Sequence, residues 1–286
     1  MNRLLIDIGN RRLKWRYLSP GQQHSGAIET APSAVIVQRL QKSIGCLRDP
    51  DRIAISSVAD PEIAETIARH ASENWNAQSR IMESLNQQNG LHNCYDPPQT
   101  LGVDRWLAMI GAIEHIKCKK TVGKGNCEQV SKGPLGLAVV DAGTAVTVDL
   151  VLVEDNNKAR FLGGVIFPGI ETMQDALVRE TIHIVRIEQS PDAETVSDRQ
   201  AIAWRDVDFG ADHTNAAISQ GAVCAVVGGV DFAVRQFGTR LGDKPQVFVT
   251  GGDAGAIKQG LWGQCEVFEN LVLDGIQSIV AGNMNK

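Results

Sequence analysis

An excess of positive charge is missing from this 286-residue chain: 28 Lys and Arg stand against 33 Asp and Glu, a formal net charge of −5. A nucleic-acid surface needs clustered Lys and Arg, so no such partner is expected. No apolar run approaches the roughly 20 residues of a membrane span, because Asp7, Asp141 and Asp149 interrupt the best candidates. In the opening MNRLLIDIGN, Leu4-Leu5-Ile6 alone precede a carboxylate, too short a stretch for the core of a secretion signal. The expected address is therefore the cytoplasm. None of the cysteines (Cys46, Cys94, Cys118, Cys127, Cys224, Cys265) forms a Cys-x-x-Cys, and no His sits at zinc-finger spacing from them. In a reducing compartment they read as ordinary thiols. Also absent are G-x-x-x-x-G-K-[ST] and G-x-G-x-x-G, which argues against a P-loop kinase or a Rossmann dehydrogenase.

What is present is an ordinary globular composition, 43% hydrophobic and 21% charged, with length for about two domains. The apolar run Leu4-Leu5-Ile6, then Asp7 and a Gly9-Asn10 turn, then Leu13, Trp15 and Tyr17 alternating with Lys14 and Arg16, predicts strand, tight turn, strand. Apolar residues at helical spacing predict helices over 33–45 and 60–75, the second opened by Asp60-Pro61, with a buried strand at 52–58 between them. A further helix is expected from Asp104, after an irregular, proline-containing stretch from Cys94 to Leu101. Residues 117–135 are basic, glycine-containing and poor in apolar residues. They read as an exposed linker between an N-terminal domain over 1–116 and a C-terminal domain over 136–286.

The second half then repeats the opening of the first. Leu5-Ile6-Asp7-Ile8-Gly9-Asn10 and Val139-Val140-Asp141-Ala142-Gly143-Thr144 share one pattern, and each leads into an alternating apolar strand. One Asp-Gly turn is commonplace; two at the heads of successive halves suggest duplication of an α/β unit. Such a turn suits phosphate. Glycine lets backbone N–H groups approach an oxyanion, Asn10 or Thr144 adds a polar side chain, and the carboxylate can hold a cation that offsets phosphate charge. Two hairpins facing across a cleft would clamp a nucleotide, and Thr250-Gly251-Gly252 offers a third open turn. Phosphoryl transfer needs mostly positioning and charge neutralisation.

Asp7-Ile8-Gly9-Asn10-Arg11-Arg12-Leu13-Lys14-Trp15 resembles the first phosphate hairpin of the type III pantothenate kinases, within the acetate and sugar kinase, heat-shock-70 and actin superfamily. Leu101-Gly102-Val103-Asp104-Arg105-Trp106 is similar to that family's Gly-x-Asp-Arg motif, Asp141-Ala142-Gly143-Thr144-Ala145 to its Asp-x-Gly-Thr-Ala block, and Gly163-Gly164-Val165-Ile166-Phe167-Pro168-Gly169 to its Gly-Gly-x-Ile-x-Pro-Gly stretch. The resemblance implies two duplicated ribonuclease H-like domains in an actin-like ATPase fold, with the active site in the cleft between them. The activity it implies is ATP-dependent phosphorylation of pantothenate in a homodimer.

The resemblance assigns Asp104 as general base, ionised at neutral pH with help from the helix dipole and Arg105; a plain helix N-cap is the alternative. It assigns ATP to Asp7, Ile8, Gly9, Asn10, Arg11, Arg12, Leu13, Lys14 and Thr144. By the same resemblance Asp7 corresponds to the family's acidic residue near the phosphates and Mg²⁺, and Lys14 to its phosphate-side cation, with a solvated strand residue as the other reading of Lys14. Asp141 is the monovalent-cation (K⁺ or NH₄⁺) residue or a turn carboxylate. Tyr95, Gly102, Val103, Asp104, Arg105 and Thr214 correspond to the pantothenate site, with a loop anchor and a helix cap as the other readings of Tyr95 and Thr214. Met109, Ile110 and Ile113 are candidates for a dimer contact or for the core. Arg11 departs from the family, which has Thr or Ser there; a guanidinium can replace the lost hydroxyl bidentately. Two rivals remain: a non-catalytic protein like the family's Bvg accessory factors, and a superfamily kinase with another small hydroxylated substrate.

Overall fold

The computed structural model describes residues 1–122, 133–154, 158–180 and 210–282. The chain divides into two compact units, one of residues 1–132, 153–161 and 270–286, the other of 133–152 and 162–269. Unit one contains β1 (Arg3–Ile8), β2 (Arg12–Ser19), β3 (Gln22–Glu29), α1 (Ser33–Ile44), β4 (Arg52–Ser57), α2 (Pro61–Asn74), β5 (Gln78–Ile81), the short β6 (Gln87–Gln88) and β7 (Leu91–His92), and α3 (Val103–Val122). Next come β8 (Leu135–Ala142), β9 (Ala145–Val153), β10 (Ala159–Pro168), α4 (Ile170–Glu180), α5 (Thr214–Leu241), β11 (Gln246–Thr250), α6 (Ala254–Gly260) and β12 (Glu266–Val267). The closing α7 (Leu271–Gly282) returns to unit one.

The first sheet runs β3-β2-β1-β4-β5, and the second contains β10-β9-β8-β11-β12. The order is the same when the strands of each half are counted from its first. In both, the first and fourth strands pair in parallel, β1 with β4 and β8 with β11. The echo of Asp7 and Asp141 is thus an echo of topology. In unit one the β6–β7 hairpin pairs with the start of β10, Leu91 opposite Ala159 and His92 opposite Arg160.

Alternation on β1 and β2 buries Leu4, Ile6, Ile8, Leu13 and Trp15 against Ile36 and Leu40 of α1 and Ile63 and Ile67 of α2. Asp60 caps α2 by accepting the Glu62 N–H at 3.0 Å, with Pro61 at the first helical position, where its missing N–H costs nothing. On the other face Arg16 of β2 donates to Asp274 (2.7 Å) and Gln277 (2.8 Å) of α7. There α3 and α7 touch backbone to backbone. A Cβ on Gly111 would strike the Leu271 carbonyl oxygen, and one on Gly275 that of Leu107. In unit two, Ala138, Val140, Val146, Val247 and Val249 pack on Val226 and Val230 of α5 and Ile257 of α6.

Three expectations need correction, and one open alternative is decided. The segment 117–135 is not all linker: α3 runs to Val122 and β8 begins at Leu135, while residues 123–132 lie outside those described. Lysines near a helix C-terminus are helix formers that also complement its dipole. Residues 153–161 and 270–286, placed by the sequence with the second half, group with unit one. The expectation of no long apolar run fails at α5, which is long and apolar enough, by length and composition, to cross a membrane, although it buries Val226, Val230 and Val234 in unit two. Met109, Ile110 and Ile113 are buried within the chain, at 0%, 2% and 3% exposure, so they have no surface to offer a partner.

Candidate active site

Parallel pairing puts the carboxyl ends of β1 and β4 side by side, and α/β sheets bind their ligands at such ends. Asp7, next to last in β1, pairs with Lys14 of β2 and Ser56 of β4. The odd-numbered Leu13 and Trp15 enter the core, so Lys14 lies on the opposite face beside Asp7, and both are half-buried. Lys14 is thus not a fully solvated strand residue. The turn itself is closed: the Gly9 N–H donates to the Arg12 carbonyl at 2.9 Å, and Thr30 Oγ1 donates to the Gly9 carbonyl at 2.7 Å. The Gly9 amide is therefore spent inside the hairpin. The hairpin still carries the side-chain donors of Asn10, Arg11, Arg12 and Lys14. Ile8 and Leu13, both buried, shape the hairpin from beneath.

The same sheet end carries the start of α3. The Met82 N–H donates to the Ile55 carbonyl at 2.7 Å, and Ser84 Oγ donates to the Leu101 carbonyl at 2.9 Å. Gly102, Val103 and Asp104 follow at once. The Gly102 carbonyl accepts the first helical bond, from the Trp106 N–H at 3.1 Å, so Asp104 sits inside the helix and is not its N-cap. Its Oδ1 accepts the Arg105 N–H at 2.7 Å, curled over Gly102, where a Cβ would come within 2.6 Å of that oxygen. Burial raises the Asp104 carboxyl above its usual range, against the Arg105 charge and backbone hydrogen bonds that lower it. The expected help from Arg105 is present but outweighed.

Arg105 is 6% exposed, with its guanidinium 5.7 Å from the Tyr95 ring centroid and 5.8 Å from that of Phe161. Nη1 also reaches the Tyr95 hydroxyl at 3.3 Å. The two rings stack at 5.6 Å. Tyr95 belongs to a loop pinned by Asn93, whose Oδ1 accepts the Tyr95 N–H at 3.0 Å. Tyr95 thus anchors its loop and seats the arginine at once. Phe161 reads in the sequence only as part of a strand, because an aromatic in an apolar strand looks like core. Ser56 was read only as part of a buried strand.

In unit two, Asp141 is next to last in β8 and pairs with Thr250 of β11. The turn after it is enclosed by the two glycine-rich stretches. Thr144 offers its carbonyl to the Gly169 N–H (2.9 Å) and to Thr172 Oγ1 (2.7 Å), and a Cβ on Gly169 would strike the Gly143 carbonyl oxygen. Gly251, at φ +99°, passes against Ala142 so closely that no side chain fits. As in the first hairpin, the glycine amide is used internally, Gly143 N–H to the Ala145 carbonyl at 3.0 Å. Thr214 is exposed and is the first residue of α5, after His213 at the cap, so it is no N-cap. Asp7, Lys14, Tyr95, Asp104 and Arg105 belong to unit one, and Asp141, Thr144 and Thr214 to unit two.

The sequence model of the type III pantothenate kinases matches residues 3–236. The chain belongs to that family. Among type III pantothenate kinases, that of Cupriavidus taiwanensis is 31% identical over 97% of each chain. That of Nitrosococcus oceani is 26% identical over 96% of this chain and 92% of its own. Two solved structures share the fold. A Sinorhizobium meliloti protein described as a 2-dehydro-3-deoxygalactonokinase superposes with TM-score 0.55 at 15% identity, covering 98% of this chain and 96% of its own. A Campylobacter jejuni protein described as a Baf family transcriptional activator superposes with TM-score 0.52 at 19% identity, covering 99% and 100%. This family member therefore has the two-domain α/β fold that the resemblance implied, with the repeated sheet order that its two aspartate–glycine hairpins suggested.

Proposed function

We infer that this protein transfers the γ-phosphoryl group of ATP to the primary hydroxyl of pantothenate, the entry step to coenzyme A. The family match over residues 3–236 carries the reading. Relatives named for that activity over nearly their whole length agree. In this reading Asp104 takes the hydroxyl proton as the oxygen attacks phosphorus. Burial strengthens it as a base relative to an exposed carboxylate, while Arg105 opposes its protonation. Arg105, seated on Tyr95 and Phe161, supplies a fixed cation for the acceptor's carboxylate. Gly102, Val103, Tyr95 and Thr214 contact the acceptor.

The side chains of Asn10, Arg11, Arg12 and Lys14, with Thr144, take the nucleotide phosphates. Arg11 does with a guanidinium what a hydroxyl does elsewhere in the family. Among the described residues no cluster of three His, Cys, Asp or Glu exists. That suits Mg²⁺, which is held by one or two carboxylates together with phosphates and water; Asp7 is that carboxylate and Asp141 the monovalent-cation residue. The metal supplies charge neutralisation on the polyphosphate. We place the enzyme in the cytoplasm, with ATP and pantothenate as partners and no nucleic acid or membrane.

A homodimer is part of the reading. Its support is the exposed row Ala217, Gly221, Ala225, Gly228 and Phe232 along α5, with Phe232 59% exposed. Coupled ADP release, measured with pantothenate in potassium and then in sodium, tests the activity. Pantothenate-dependent turnover that drops in sodium is expected. No dependence on pantothenate removes the function, and equal rates in the two salts remove the Asp141 assignment.

A further inference from the structure

Across the sheet end in unit one, Lys14, Asp7 and Ser56 stand in register on β2, β1 and β4. Ser56 shares the face of Asp7, since its neighbour Ile55 enters the core with Ile6. It is fully buried, and its Oγ has no hydrogen-bond partner. Such a group loses its bonds to water and gains none in return, so it needs an explanation. Adjacent strands run about 4.8 Å apart, so a change of χ1 among its staggered wells brings the Ser56 hydroxyl within reach of the Asp7 carboxylate.

We propose that Ser56 is a positioning residue whose buried hydroxyl donates to the Asp7 carboxylate when a cation-bearing triphosphate is seated at the β1–β2 hairpin. This rests on the reading of Asp7 as the Mg²⁺-side carboxylate. A carboxylate that accepts a neutral donor on one oxygen keeps its other oxygen aimed at the metal's coordination shell, as outer-shell partners do for metal ligands generally. The hydroxyl remains unpaired in the resting protein and is satisfied in the loaded one, so part of the nucleotide's binding energy comes from ending that mismatch.

Stability and affinity therefore move in opposite directions on removing the hydroxyl, which a merely structural serine does not do. Ser56→Ala is expected to melt about 2–4 °C higher without ligand. It is also expected to bind ATP with Mg²⁺ roughly tenfold more weakly, read as loss of the ATP-induced rise in melting temperature. Ser56→Cys, of similar size but a weak donor, shows the same loss and answers the question if the alanine packs badly. Ser57 is the internal control. Its Oγ is also without a partner, but it pairs with Ile8 on the opposite face, so Ser57→Ala keeps the full ATP response. Asp7→Asn separates the two claims. If Asp7→Asn keeps the response to ATP and Mg²⁺, the reading of Asp7 is overturned. If Asp7→Asn loses the response while Ser56→Ala and Ser56→Cys keep it, only the role of Ser56 falls. A lower melting temperature in both Ser56 variants with unchanged ATP affinity also overturns it. In the Asp7→Asn background, Ser56→Ala is expected to cost no further affinity.

Discussion

Burial and charge pull Asp104 in opposite directions, and burial prevails. Its carboxyl binds a proton more tightly in the folded chain than in the unfolded one. Between the ordinary value of 3.8 and the raised folded value, stability therefore falls as pH rises. At neutral pH the ionised group costs stability, the trade that the proposed role as base would require. Asp104→Asn is expected to raise the melting temperature at neutral pH while lowering kcat about 10²–10⁴-fold, with ATP still bound. Calorimetry and a pH–rate profile check both halves. The acidic limb of kcat/KM should lie above the range of an exposed carboxylate, and a limb at the ordinary value would contradict the burial argument. Asp104 was legible in the sequence because Gly102 and Arg105 flank it. Phe161, which lies against Arg105, and Ser56, which pairs with Asp7, were not, because one looked like any core aromatic and the other like any strand serine.

The helices α3 and α7 cross in close contact, since both expose backbone at Gly111 and Gly275. Small residues at a crossing let helix axes approach, and a methyl group there meets a carbonyl oxygen that cannot rotate away. Gly111→Ala is expected to destabilise by about 3 kcal/mol, despite alanine's better helix propensity. Urea unfolding measures it, and an unchanged midpoint would mean that the helices separate at little cost. Since α3 carries Asp104, activity should fall with stability. Element by element, the amphipathic pieces were plain in the sequence: α1, α2 and β4 fall where periodicity puts them. β3 was not. Gln22-Gln23-His24-Ser25-Gly26 has no apolar alternation, and it is a strand because β2 offers it an open edge. Gly26 also leaves room for the Trp15 ring, which a Cβ would overlap.

At the scale of the molecule, duplication accounts for two sheets of one strand order, and the exposed row on α5 is where a second copy is expected. Burying that row around Phe232 is a larger reward than any single contact on the polar surface. Light scattering should find a dimer in the wild type and a monomer in Phe232→Glu. A dimeric Phe232→Glu would move the interface elsewhere, and a monomeric wild type would remove it. By itself the order of residues determined the repeat and the hairpins and singled out Asp104 as the candidate base, because apolar period, turn chemistry and short motifs are local and survive in one dimension. Only folding decided that the glycine amides of both turns are consumed within them, that Arg105 lies on two rings drawn from distant segments, that α7 rejoins the first unit, and that Ser56 is buried without a partner beside Asp7. Those facts depend on which strands become neighbours, and pairing across long loops leaves no mark on the residues nearby.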